Sequence, residues 1–137
     1  MTYTKKRFKH WVYPRIIDGE LTEYNWIVQN INNFKMGSYV DIGAFSYINA
    51  KNGVLIEDNV QIGSHCSIYT VSTIDNRKGP VKLSKNCRIG SHSTILPNVT
   101  IGENSVIGAH SFINSSIPAN VIAFGVPAKI IKNQNEK

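Results

Sequence analysis

From Val81 to Ile113 an aliphatic residue recurs every six positions without a break: Leu83, Ile89, Ile95, Ile101, Ile107 and Ile113. Two residues before each stands a small or β-branched one: Val81, Cys87, Ser93, Val99, Ser105 and Ser111. A helix repeats at about 3.6 and a strand at about 2.0, so neither alone produces a period of six. Short strands joined by identical corners do produce it, with each hexad forming one side of a solenoid coil.

The same small-x-aliphatic pair occurs upstream at Val40 and Ile42, Ser46 and Ile48, Val54 and Ile56, Val60 and Ile62, and Cys66 and Ile68. Glycine follows the aliphatic residue at Gly43, Gly63, Gly90, Gly102 and Gly108. These are corner positions, where the backbone is expected to need a conformation that a side chain hinders. The pattern predicts an all-β, single-stranded parallel β-helix of about four coils over residues 36–132. An N-terminal cap over 1–35 covers the open end, as terminal repeats require, and residues 133–137 form a frayed polar tail.

Two interruptions break the period. The step from Ile48 to Ile56 carries two extra residues near Lys51 to Gly53, which predicts a bulge at one corner. Between Ile68 and Leu83 lies a longer surplus, polar and closed by Gly79-Pro80, so a loop over 69–80 leaves the solenoid there. Loops projecting from a rigid scaffold are common sites of function.

A chain of 137 residues suits one continuous core. No stretch approaches the ~20 apolar residues of a membrane span. Met1 to His10 is polar and basic rather than an apolar signal core, which leads to an expected cytoplasmic location. Cys66 and Cys87 both occupy the small inward position of the repeat and are expected to be reduced core thiols. The net charge of +6 suits an anionic partner, with Lys5, Lys6, Arg7, Lys9 and Arg15 crowding the start. No nucleic-acid-binding motif accompanies that charge, so no nucleic acid partner is expected.

The hexads, together with Ile117-Pro118, Gly125-Val126-Pro127-Ala128-Lys129 and the loop after Ile68-Tyr69-Thr70, resemble the left-handed β-helix acyltransferases that use acetyl-CoA. The resemblance covers residues 36–132 and supplies the handedness, since parallel crossovers are ordinarily right-handed. It implies a homotrimer with acyl-CoA in the cleft between subunits. Gly108 and Ala109 would face the pantetheine arm, and Ala123, Gly125, Pro127 and Ala128 would shape the nucleotide end of the site. Lys129 and Lys132 would meet its phosphates.

In the maltose and galactoside acetyltransferases a Tyr-Thr-Ala-Thr-His-Pro run supplies the catalytic histidine. Here Thr73 stands at that position, and Arg88 replaces the tryptophan that many members carry before Ile-Gly. The run Ser72-Thr73-Ile74-Asp75-Asn76 looks more like the small members that N-acetylate nucleotide-linked deoxyamino sugars. An amine, once deprotonated, is a stronger nucleophile than a hydroxyl and needs a weaker base. The resemblance therefore implies a nucleotide-sugar acceptor in surface glycan synthesis, with O-acetylation of a sugar or polysaccharide as the alternative. Ser72, Thr73, Asn76 and Arg88 are the expected substrate-binding residues.

His65, His92 and His110 each fall three residues after the aliphatic of their hexads, so they share a phase and stack on one outer edge, roughly 4.8 Å apart per coil. His65 and His92 flank the loop in sequence. They are the candidate bases, with Asp75 to hold the incoming ammonium. The γ-class carbonic anhydrases share this fold and bind zinc through histidines, but their H-x-x-x-x-H pair is absent, and no metal is expected. A noncatalytic solenoid would present an unbroken face, without the loop.

Overall fold

The computed structural model describes residues 8–134 and shows an all-β chain wound into a left-handed parallel β-helix. The first coil comprises β1 (Ile27–Gln29), β2 (Phe34–Met36) and β3 (Asp41–Ile42). The second comprises β4 (Tyr47–Asn49), β5 (Val54–Ile56) and β6 (Gln61–Ile62). The third begins with β7 (Ser67–Tyr69), throws out a hairpin of β8 (Val71–Ser72) and β9 (Arg77–Lys78), and resumes with β10 (Val81–Leu83) and β11 (Arg88–Ile89). Then come β12 (Thr94–Ile95), β13 (Thr100–Ile101) and β14 (Val106–Ile107), and finally β15 (Phe112–Ile113), β16 (Val121–Gly125) and β17 (Ala128–Asn133).

Stacked rungs make three flat sheets. Sheet A runs β1-β4-β7-β12-β15, sheet B runs β2-β5-β10-β13, and sheet C runs β3-β6-β11-β14-β16-β17. Every pairing is parallel except β16 with β17 and β8 with β9. The inward aliphatics sit in register, Ile48 on Ile68 on Ile95 on Ile113 in sheet A, and fill a dry interior.

The solenoid has five coils, not about four, and it starts at Ile27, ahead of the expected Met36 boundary. The first coil escapes the hexad pattern because Trp26 and Phe34 occupy positions that later coils give to small residues. Both are buried. With no coil beneath them among the described residues, these rings fill the open end of the prism. The remaining cap lies over them, Trp11 Nε1 donating to the Val40 carbonyl at 2.9 Å and its ring leaning on Tyr39. Lys5, Lys6 and Arg7 lie outside the described residues. The polar tail is anchored where it is described: Asn133 pairs with Val121, and Gln134 Nε2 donates to the Asn104 and Val121 carbonyls.

The corner glycines serve a different purpose from the one their placement suggests. None of those five has a positive φ; the left-handed conformation falls two residues after Gly63, at His65 (φ 57°), and likewise at the other corners, on asparagine, histidine, tyrosine or phenylalanine. Gly63 is required by close approach, since a Cβ there would lie 2.6 Å from the Ser91 amide nitrogen of the next coil.

Candidate functional site

Three edges join the sheets. Along the edge between sheets C and A the left-handed corner residues are Asn25, Phe45, His65, His92 and His110. The imidazoles stack, His65 on His92 at 4.7 Å between ring centroids with planes 4° apart, and His92 on His110 at 4.8 Å and 11°. Phe45 extends the stack below His65 at 5.3 Å. All three histidines are exposed.

This edge is held from beneath by a column of small polar side chains, each one residue after a corner residue. Ser46 Oγ donates to the Gly63 carbonyl (3.0 Å) and accepts from the Cys66 amide (3.1 Å). Cys66 Sγ donates to the Gly90 carbonyl (3.2 Å), and Ser93 Oγ donates to the Gly108 carbonyl while accepting from the Ser111 amide. Ser111 Oγ closes the column, donating to Gly108 O (2.7 Å) and accepting from the Gly125 amide (3.1 Å). These buried hydroxyls satisfy corner backbone groups that would otherwise be orphaned, so the histidines project from a fixed frame. Both cysteines are free and buried. Burial pushes the Cys66 thiol up, and pushes Cys87 up to about 12, so neither is a ready nucleophile.

Of the residues expected to meet the cofactor, Gly108, Ala109 and the β16–β17 bend lie at the top of the same edge, whereas Lys132 sits opposite Ile122, toward the B–C edge. Gly108 donates its amide to the Ala123 carbonyl at 2.9 Å, and Ala109 is exposed beside His110. Gly125, Pro127 and Ala128 form the bend of the β16–β17 hairpin, where the Val126–Pro127 peptide is cis. Lys129 and Lys132 are exposed on β17. The Ala123 methyl is fully buried in the core, so only its backbone could face a ligand.

The loop is a β-hairpin folded back over the outer face of sheet A. Between them lies a cavity of about 530 Å³ lined by Tyr47, Asn49, Tyr69, Leu96 and Phe112 from the sheet and by Val71, Ser72, Thr73, Ile74 and Asp75 from the hairpin. Tyr47 and Tyr69 face each other at 5.8 Å, and Tyr47 Oη donates to Gln29 Oε1 at 2.6 Å. The expected residues Ser72, Thr73 and Asp75 thus share one wall. Asn76 adopts the left-handed turn conformation (φ 57°) outside the lining, and Arg88 lies on β11 in sheet C, on another face.

His65 and His92 do not line this cavity. They flank the hairpin in sequence, but β7 separates His65 from it, so imidazoles and hairpin occupy opposite borders of sheet A. The sheet-borne lining was missed from sequence. Its signal was the middle position of the hexad: Tyr47 in Ser46-Tyr47-Ile48 and Phe112 in Ser111-Phe112-Ile113 put aromatics where a solvent-facing strand would carry polar residues. Among the described residues no group of three or more histidines, cysteines or carboxylates is placed to hold a metal ion, and no helix is long and apolar enough to cross a membrane.

Comparison with known proteins matches residues 80–115 to the family described as Bacterial transferase hexapeptide (six repeats). The galactoside O-acetyltransferase of Escherichia coli is 36% identical over 119 residues, covering 76% of this chain and 59% of that protein. The chain thus spans about three fifths of the length of such curated relatives. Among solved structures, a hexapeptide-repeat acetyltransferase from Vibrio cholerae complexed with acetyl-CoA superposes with a TM-score of 0.77 at 24% identity, over 81% of this chain and 66% of that one. An N-acyltransferase from Bacillus cereus in complex with dTDP-4-amino-4,6-dideoxyglucose and coenzyme A superposes with a TM-score of 0.57 at 27% identity, over 82% and 71%. By its repeat, its five-coil prism and these relatives, the chain belongs to the hexapeptide-repeat transferases.

Proposed function

We propose that the protein transfers an acetyl group from acetyl-CoA to the amino group of a nucleotide-linked deoxyamino sugar, in surface glycan synthesis in the cytoplasm. The observation that carries the choice of acceptor is the cavity under the hairpin, which Asp75 lines from the hairpin and Tyr47 and Tyr69 from the sheet. An alkyl ammonium titrates near ~10, so the acceptor arrives charged, and a carboxylate is the group that holds it. The rings suit the flat apolar faces of a sugar or base.

For transfer, an imidazole of the C–A edge, His65 or His92, removes one proton from the ammonium. The freed nitrogen attacks the thioester carbonyl carbon; the C–N bond forms, the C–S bond breaks, and the nitrogen's second proton passes to the leaving thiolate, giving the amide and CoA. No covalent acyl-enzyme intervenes. Lys129 and Lys132 pair with the phosphates of CoA, Gly108 and Ala109 face its pantetheine arm, and Gly125 shapes the nucleotide end. Since one subunit keeps imidazoles and cavity on opposite borders of sheet A, the reading requires a neighbouring copy to bring its histidine edge to the cavity, which favours a homotrimer.

A thiol-release assay comparing nucleotide-linked amino sugars with plain sugars tests this. Turnover with the amines is expected, and turnover only with hydroxyl acceptors overturns the amine assignment. A second reading, O-acetylation of a sugar hydroxyl, is favoured by the 36% identity to the galactoside O-acetyltransferase and would appear in the same assay.

A further inference from the structure

Within the hairpin, β8 and β9 pair through only two residue couples, Val71 with Lys78 and Ser72 with Arg77. A ribbon that short does not hold its shape alone in water. Its base is tied: the Gly79 amide donates to the Thr70 carbonyl at 3.0 Å, and Asn98 Nδ2 donates to the Lys78 carbonyl at 2.9 Å. The first bond closes the base of the hairpin, and the second ties β9 to the fourth-coil corner.

One side chain reaches a coil further. Nη2 of Arg77 donates to the Pro97 carbonyl at 3.4 Å and to the Asn114 carbonyl at 3.2 Å. A guanidinium –NH₂ group carries two hydrogens, one for each acceptor. Pro97 belongs to the corner after β12 and Asn114 to the corner after β15, so the contact clips a hairpin that grows from the third coil onto the fourth and fifth. The 71–75 wall then faces Leu96 and Phe112 across the cavity.

We infer that Arg77 is a positioning residue that sets the height and tilt of the hairpin roof, and through it the fit of the acceptor, without touching the acceptor itself. This rests on the proposal that the acceptor binds in the cavity beneath the hairpin. Released from the clip, the roof occupies its binding-competent position for only part of the time, and apparent acceptor affinity falls in proportion to that fraction. The acetyl-CoA residues neither line the cavity nor receive the clip, so acetyl-CoA binding is unaffected. A lysine at this position keeps the charge and donors on a less organised ammonium, so it restores the clip in part.

The test uses Arg77→Ala and Arg77→Lys in the full chain. Hydrogen exchange of amides over 70–80 should quicken by roughly tenfold or more in R77A, with an intermediate rate in R77K, while exchange in the coil strands and the melting temperature stay unchanged. With the acceptor identified by thiol release, R77A should raise acceptor KM by about tenfold and leave kcat and the acetyl-CoA KM within about twofold. Unchanged exchange over 70–80 overturns the clip, whatever the acceptor proves to be. Faster exchange with an unchanged acceptor KM overturns the link to acceptor fit, and leaves the exchange result as the sign that the cavity is not where the acceptor binds.

Discussion

Two edges of the prism make the same backbone demand and meet it with different residues. At the edge between sheets B and C the left-handed corners are Tyr39, Asn59, Asn86, Asn104 and Asn120. Asparagine tolerates this conformation because its short amide bonds locally, whereas other side chains pay about 1 kcal/mol or more. The edge between C and A takes Phe45, His65, His92 and His110 at equivalent places. Three histidines stand where the other edge uses asparagine, the difference that the proposed role as base calls for. The C–A edge is also the tighter one. Glycine follows every sheet C strand leading to it through the fourth coil, at Gly43, Gly63, Gly90 and Gly108, whereas the B–C edge admits Glu57 and Ser84 beside Gly37 and Gly102.

Exchanging residues between the edges is the sharpest way to break this contrast. His92→Asn supplies the corner's preferred residue, so stability should hold, yet turnover at saturating acetyl-CoA should fall by roughly 10² if His92 is the base. Asn59→His, the reverse change on the other edge, should leave turnover within about twofold. Equal turnover in both variants would reduce the histidine column to ordinary corner residues. A stability effect of about 2 kcal/mol is expected for Gly63→Ala, because the added methyl meets the Ser91 backbone, which cannot move without separating two coils. Urea unfolding would show it as a lower midpoint.

The smallest effect concerns pH. Burial first, then the Glu57 charge, raises Cys87 to about 12 from an ordinary 9.0. The folded state therefore holds this proton more tightly than the unfolded chain does. Its contribution is complete below pH 9 and is lost as pH rises from 9 towards 12. In Cys87→Ser the alkaline fall in unfolding midpoint should be shallower, and an identical slope would remove Cys87 from the account.

The solenoid was legible because each inward residue meets its equivalent one coil away, so the packing constraint is written into the sequence as a period. The shared phase of His65, His92 and His110 became a stack for the same reason. Periodicity says nothing about the path of an insertion, however, so the folding of residues 70–80 back over sheet A could not be read. Arg77 was invisible because its partners are main-chain carbonyls, which any residue provides. The first coil was hidden by Trp26 and Phe34, whose bulk answers the needs of an end. The glycines were correctly placed at corners but for the wrong cause, since steric approach and backbone conformation both select glycine.

The parallel register also dictates an order of assembly. Each rung finds its partner at a nearly constant distance back along the chain, Ser67 on Tyr47 and then Phe112 on Thr94, lengthened only where the hairpin intervenes, from Ser67 to Thr94, Val54 to Val81 and Gln61 to Arg88. A chain emerging from the ribosome can therefore add coils one after another onto a finished template, beginning from the Trp26 end. The third coil is the slowest link, because loop closure there spans the most residues. The roof of the cavity acquires its anchors last, when Pro97 and Asn114 arrive to receive Arg77.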